Sequence, residues 1–548
     1  MKKADRVVMG FVAAALAATA ACGDDNGGGP APLPAPTGVT VTAQSQTVAR
    51  ISWSAVNGAA KYLVQRGTSN NYATLSGNVT ATQYDDSGVV ANTNYQYRVA
   101  AIASSDTSAF SSVVNFSVGR VTLTADIAAN RTLFKDTLYV LSGYIKVDSG
   151  VTLTIQPGTK IVGDTNAAGS SLWIKRGARI NANGTAAEPI VFTSQRAPGH
   201  RKPGDWGGII MIGRGIINRT SPVLTEGPVA EAENYGGGTD NADSSGVLRY
   251  VRIEFAGYDV SGGQGSELNG LSMYAVGSKT VVEYVECLAG LDDSFEWWGG
   301  ALDARYLVSY ESGDDHFDWT EGFQGRVQFA LGLQSTRLTP VVGNGTLSTD
   351  PQGFEGDGCN GTGCNNAGNI HRSTPYSDPT FVNFTMIGSG TVETQAAGGE
   401  GAVIRRGTKG LIHNSIIGRW KGTGITVRDS TTGNILDADS LNLTDIVFAE
   451  NTLGNYDTTS NFGQAAKFAA DNHRNAATAA SIITNLTPAS LDWKPTGIAA
   501  TGCGTIAIPA TRAANFFGGA MPNTAYCGAV DPAAGTAWYA GWTSYAAN

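Results

Sequence analysis

The chain has 548 residues, too many for one ordinary domain, and a formal net charge of −9 from 37 basic and 46 acidic side chains, which argues against generic nucleic-acid binding. Its 71 glycines follow no G-X-Y period, so it is not collagen-like, and a hydrophobic fraction of 42% can fill packed cores, so it is not a disordered chain. Abundant glycine with only 15% charged residues points instead to many short strands and many turns.

In chain order, Lys2, Lys3 and Arg6 precede an apolar run from Val8 to Ala21, too short for a good membrane span, and then Cys22. A basic start, a short apolar core and small residues before a cut describe a secretory signal peptide over residues 1–21. Thr19-Ala20-Ala21-Cys22 resembles the cleavage box of bacterial lipoproteins, although that family usually has Leu where Thr19 stands. The resemblance implies lipidation of Cys22 and a membrane partner through that lipid. Because Gly23 rather than Asp follows the cysteine, it also implies an outer-membrane address, with the cell surface preferred over the periplasm. Residues 22–34 then read as a lipidated flexible tether. Export suits disulfides: Cys359 with Cys364 in the loop CNGTGC, and Cys503 with Cys527, are the expected pairs by proximity along the chain. Cys287, in an apolar strand, reads as a buried thiol.

Residues 35–118 alternate apolar and polar side chains at period two: Val39, Val41, Ala43; Ala49, Ile51, Trp53; Tyr95, Tyr97, Val99, Ala101. Pro36 near the start, Trp53 in the second strand and NTNYQYRVAAIA at 92–103 resemble a fibronectin type III β-sandwich. That resemblance implies a spacer between anchor and main domain, with Tyr95 as the corner tyrosine.

From residue 121 short repeats replace this pattern. LTIQPGTKIVG (153–163) recurs, 19 residues on, as LWIKRGARINANG (172–184). EYVECLAGLDDSFEWWGG (283–300) recurs, 22 residues on, as RYLVSYESGDDHFDWTEG (305–322). Repeats of this length suggest a solenoid. The LxxLxLxxN frame of leucine-rich repeats is missing, and frequent glycine with a period of two excludes helical repeats. Short strands separated by glycine turns fit a parallel β-helix, and the chain resembles the pectate-lyase-like right-handed superfamily over 121–450. The expected fold class is therefore all-β: a fibronectin type III sandwich, then a right-handed parallel β-helix. Residues 451–548 lose the repeat and read as an irregular C-terminal cap or flanking region. The lipoprotein signal, GDWGGI (204–209), the doubled DDxF[ED]W and the terminal GWTSY also resemble a group of surface lipoproteins of diderm bacteria. That likeness implies architecture and location, not chemistry.

Parity places Phe295, Trp297, Phe317 and Trp319 inside the coil and Glu296, Trp298, His316 and Asp318 outside. Asp292, Asp293 and Glu296 then stand one coil from Asp314, Asp315 and Asp318. Six carboxylates in adjacent turns repel one another unless a cation, a basic partner or protonation intervenes. Oxygen-rich clusters suit Ca²⁺, so these six are candidate metal ligands; the alternative is that the aspartates cap turns by accepting backbone N–H bonds.

Three functions compete. A surface scaffold or adhesin would bind glycan along the coil through Trp298, Glu296 and Trp420, with Tyr310 a further exposed ring. A calcium-assisted polysaccharide lyase would need a base among residues such as Arg305, Arg326, Arg405 and Arg406. A glycoside hydrolase would use paired carboxylates. Gly313-Asp314-Asp315-His316 resembles in part the paired-Asp motif of polygalacturonase-like hydrolases, which implies Asp314, Asp315, His316 and Asp318 as catalytic candidates. The companion NTD, GHG and RIK triplets are missing, and Arg419-Trp420-Lys421 matches only loosely. The basic run Arg196, His200, Arg201, Lys202 reads as a solvated loop or an anionic-glycan contact. The scaffold leads this reading; a polysaccharide is its expected partner, and no nucleic acid is expected.

Overall fold

A computed structural model describes residues 32–45, 47–91, 93–104, 106–261, 266–390, 399–457 and 471–545. The signal peptide, Cys22 and most of the tether lie outside these residues. Among the described residues no helix is long and apolar enough to cross a membrane.

The N-terminal module contains two sheets. One has three strands, Thr40–Ser45, Val48–Ser52 and Gln83–Asp86. In the other, Lys61–Thr68 pairs antiparallel with Asn71–Val79 and with Tyr95–Ala103. Alternation decides which side chains are covered: Tyr95, Tyr97 and Val99 are buried while Gln96 and Arg98 between them are not. Trp53 sits edge-on to Tyr62 at 5.2 Å. The Tyr95 hydroxyl accepts a hydrogen bond from the Val90 N–H at 3.0 Å, the local tie expected of a corner tyrosine.

The second unit is a right-handed β-helix. Its strands stack in parallel in two long sheets, one of 17 strands and one of nine. The two repeats seen in the sequence mean different things in this fold. The 22-residue repeat is a coil: Val285 pairs with Leu307, Phe295 with Phe317 and Trp297 with Trp319. The 19-residue repeat is not. Leu153 pairs with Ile180, and Leu172 with Ile209, in different sheets. LTIQ and LWIK are thus two faces of the coil, alike because each is a short buried strand before a tight glycine turn.

Coil length varies because loops are inserted at the bends, while the interior keeps its register. Phe295, Trp297, Phe317 and Trp319 all point inward and are almost wholly buried. Phe295 stacks on Phe317 at 5.3 Å, close to the spacing of adjacent strands. Gly208 shows how tightly successive bends approach: at φ +82°, any Cβ there would lie 1.9 Å from the Asn269 carbonyl oxygen.

Strands Gly246–Glu254, Val281–Leu288, Asp303–Tyr310 and Arg326–Leu333 each turn a corner midway. The corner residues, Tyr250, Tyr284, Tyr306 and Phe329, have φ of 48°, 56°, 60° and 62°. Bulky side chains rarely tolerate this region. Here the corner aligns the four rings into a stack with successive centroids 4.4, 4.5 and 5.3 Å apart, which offsets the backbone cost.

The coil also runs past residue 450, since Arg474–Ala476 pairs in parallel with Val447–Ala449. The segment after it lies along the coil's flank rather than only at its end. Ile482, Trp493, Val530 and Trp542 form one apolar cluster with Tyr310, Leu333, Ile387 and Val447. Trp493 Nε1 donates to the Tyr310 hydroxyl at 3.0 Å, and Ser544 N–H donates to Glu286 Oε2 at 2.9 Å. Tyr310 is therefore not an exposed ring: it is 2% accessible beneath this cover. Both expected disulfides form, Cys359–Cys364 and Cys503–Cys527, and Cys287 is a buried free thiol.

Candidate metal centre

Asp292-Asp293 and Asp314-Asp315 lie at bends that lead into strands Phe295–Trp298 and Phe317–Thr320. With Phe295, Trp297, Phe317 and Trp319 committed to the core, the residues between them project outward. Register then stacks Glu296 on Asp318 and Asp318 on Glu355. Candidate ligand oxygens lie within 4.8 Å of one another in three overlapping groups: Asp292, Asp293 and Asp314; Asp293, Glu296 and Asp318; Asp315, Asp318 and Glu355. The inserted loops bring Glu226 and Glu267 to the same region, where, after burial and Asp314, their charges raise the pKa of Asp292. The result is a trough of carboxylates on the outer face of the nine-stranded sheet.

These carboxylates do two jobs. Asp293 and Asp315 belong to a ladder along the bend: Asn269 Oδ1 accepts from Asp293 N–H at 3.1 Å, Asp293 Oδ1 accepts from Asp315 N–H at 2.8 Å, and Asp315 Oδ1 accepts from Gln352 N–H. Gln352 Oε1 continues it to Glu400 N–H at 2.9 Å. Turn capping is thus real for these two. Glu296 Oε2 accepts from Asn269 Nδ2 at 2.8 Å. Asp314 Oδ1 and Asp318 Oδ1, by contrast, are buried with no hydrogen-bond partner, and Asp318 as a residue is only 8% exposed. An unpaired buried carboxylate oxygen is costly.

The electrostatics follow. Burial first, then neighbouring charges including Asp350 and Glu267, pushes Asp314 up to about 7. Burial first, then Asp357, pushes Asp318 up to about 7. Burial together with neighbouring carboxylates holds Asp292, Asp293, Glu296, Asp315, Glu355 and Glu226 well above the usual carboxylate range. The nearby cations neutralise the trough only in part. Arg405 Nε donates to Asp357 Oδ1 at 2.9 Å and Nη2 pairs with Glu355; Arg406 also pairs with Asp357. Arg428 is taken by Asp350 and by Glu400 at 3.0 Å. A divalent cation would relieve the remaining repulsion, and the donor set is all oxygen, as Ca²⁺ requires.

Several sequence expectations change here. Trp298 is not a sugar platform: it is 6% exposed and stacks on Tyr274 at 3.9 Å under the inserted loops. Trp420 is 4% exposed, with Nε1 donating to the Met386 carbonyl at 3.3 Å. Glu296 faces outward but is only 8% exposed, so it is not an open glycan contact and would meet a sugar only through a shared cation. His316 does not face solvent. It is 1% exposed, its Nδ1 is 2.6 Å from Ser309 Oγ, and burial pushes its pKa down to about 3. Parity fails for His316 because it stands in the bend, beside Ser294 one coil back, where alternation does not apply. Arg305 and Arg326 pair with Glu283 and Asp303 on the 17-stranded sheet, away from the trough. Arg196 of the basic run is bound to Asp205 at 2.8 Å.

Glu355 was missed, although a signal exists: the dipeptide Phe-acid recurs at Phe295-Glu296, Phe317-Asp318 and Phe354-Glu355. The third copy escapes notice because an insertion stretches its spacing. Glu226 and Glu267 have no periodic signal; they come from loops between coils.

Comparison with known proteins divides the chain as its folds do. Residues 34–117 match the fibronectin type III domain model. Solved structures with likeness to this chain include a Fn3-like protein from Clostridium thermocellum, 31% identical, covering 16% of this chain and 92% of that one with a TM-score of 0.15. The fn3 domain of human collagen alpha-1(XX) chain is 19% identical, covering 16% and 88%, also with a TM-score of 0.15. No curated protein matches. Residues 125–494, more than half of the chain, match the model of the pectate-lyase like beta helix domain, and the chain belongs to that family.

Proposed function

We propose that the coil is a calcium-assisted lyase of uronate-containing polysaccharide, carried on the cell surface by a lipid at Cys22. The observation that carries the enzymatic reading is Asp318, whose Oδ1 is buried without a hydrogen-bond donor, while its carboxyl group shares a hydrogen bond with Glu296 and lies against Asp293 and Asp315. Asp293, Glu296 and Asp318 would hold the cation, which would neutralise a sugar carboxylate and acidify the adjacent C–H. Asp314, half-buried at the mouth of the trough with a free Oδ1, would take that proton. The glycosidic C–O bond then breaks, a C=C bond forms in the sugar, and the departing oxygen takes a proton from water. Arg405, fixed by Glu355 and Asp357, keeps a positive charge beside the developing negative charge.

The test uses polygalacturonate and alginate with calcium or chelator, reading unsaturated product by ultraviolet absorbance and calcium binding by thermal shift. Asp318→Asn is expected to lose both signals; Asp314→Asn is expected to lose product and keep the thermal shift. New reducing ends without unsaturation would instead identify a hydrolase. A second reading, cation-dependent glycan binding without turnover, is supported by the near-complete burial of Asp293, Glu296 and Asp318, which limits how closely a sugar C–H can approach the cluster. Binding with no product on either substrate would establish it over the lyase. For the anchor, Cys22→Ser is expected to move the protein from the membrane fraction to the soluble one; retention in the membrane would refute lipidation there.

A further inference from the structure

A pocket of about 560 Å³ that none of the trough carboxylates lines lies where strands Gly246–Glu254, Val281–Leu288 and Asp303–Tyr310 reach their ends. Its volume is that of a small-molecule site. Phe255, Leu288 and Ala289 form an apolar floor, each less than a tenth exposed. Leu338, from the loop after Arg326–Leu333, and Pro488, from the C-terminal segment, continue the apolar lining.

The polar groups of this pocket fall into two sets. The first is consumed internally. Glu311 Oε1 accepts from the Ser335 hydroxyl at 2.6 Å and from the Tyr545 hydroxyl, and Oε2 accepts from Thr336 N–H at 3.1 Å. This carboxylate ties a loop and the C-terminal segment to the coil and leaves little capacity for a ligand. Arg201 lies 3.6 Å from Glu254. The second set is Lys202 and Arg337. Both line the pocket, both have exposed side chains, and among the described residues neither forms an ion pair.

An apolar floor beneath two uncommitted cations selects a molecule with a hydrocarbon body and one negative group. A neutral sugar would leave the floor unmatched, and an amphipathic cation would meet like charge at the rim. We infer that this pocket binds an amphipathic monoanion of the fatty-carboxylate class, its acyl body on Phe255, Leu288 and Ala289 and its carboxylate against Lys202 and Arg337.

The test is calorimetric titration of the exported chain with decanoate and, separately, with decyltrimethylammonium, which has the same hydrocarbon length and the opposite charge. Saturable one-to-one binding of decanoate alone is expected. Lys202→Glu combined with Arg337→Glu, both at exposed positions, is expected to weaken it at least about tenfold, the loss of one charge-assisted contact, with the thermal transition unchanged. Leu338→Trp, which fills the apolar lining from the half-buried loop, is expected to block it. Absence of decanoate binding, equal binding of both amphiphiles, or affinity unchanged by the charge reversal would each overturn the assignment.

Discussion

Two ladders run along this coil, and the 22-residue repeat writes one step of each, Tyr284 to Tyr306 and Glu296 to Asp318. At one corner Tyr250, Tyr284, Tyr306 and Phe329 stack ring on ring. On the nine-stranded sheet Glu296, Asp318 and Glu355 stack carboxylate on carboxylate. A β-helix forces identical residues to the spacing of neighbouring strands. For aromatic rings that spacing is favourable, and it supports a strained backbone. For carboxylates it is unfavourable, and burial makes it worse. A feature that destabilises the free protein yet is repeated in register points to something the protein binds.

The ladders should respond in opposite directions. Acids whose pKa is raised on folding bind more protons in the native than in the unfolded state, so stability falls as pH rises between the unfolded and folded values. For Asp314 and Asp318 that window runs from 3.8 to about 7. Chelated protein should therefore lose thermal stability across this range, the other raised carboxylates should extend the loss to higher pH, and saturating calcium should remove most of it. At pH 8 in chelator, Asp318→Asn should raise stability by about 1–3 kcal/mol, the cost of a buried unsatisfied polar group that it relieves. A destabilised variant, or stability independent of both pH and calcium, would mean the acidic ladder is already balanced by other means. The smaller effect belongs to the rings: Tyr306→Ala loses the stacks on Tyr284 and Phe329 and should lower stability by about 1–3 kcal/mol at every pH, with no change in the calcium response. Denaturant titrations with and without calcium measure both.

Much of this organisation is legible from local pattern. Period-two alternation marks the strands of the N-terminal module, and the step from Phe295 to Phe317 gives a true coil. Parity assigns the inward rings because each strand must bury one face. The same logic fails in two instructive places. The 19-residue similarity joins different faces of one coil, since buried strands before glycine turns look alike wherever they occur. Outward parity does not mean exposure either: Trp298 and Glu296 face away from the core yet are covered by insertions that no repeat announces.

The sequence by itself determined the two-part architecture, the inward aromatic stack, both disulfides and the six stacked carboxylates, because each follows from periodicity or spacing along the chain. Only the tertiary structure decided which carboxylates cap bends and which are left unpaired, that Glu226, Glu267 and Glu355 join them, and that His316, Trp298, Trp420 and Tyr310 are withdrawn from solvent. Those outcomes depend on where long insertions and the C-terminal segment fold back, and such contacts join residues far apart in the chain that no local repeat can specify.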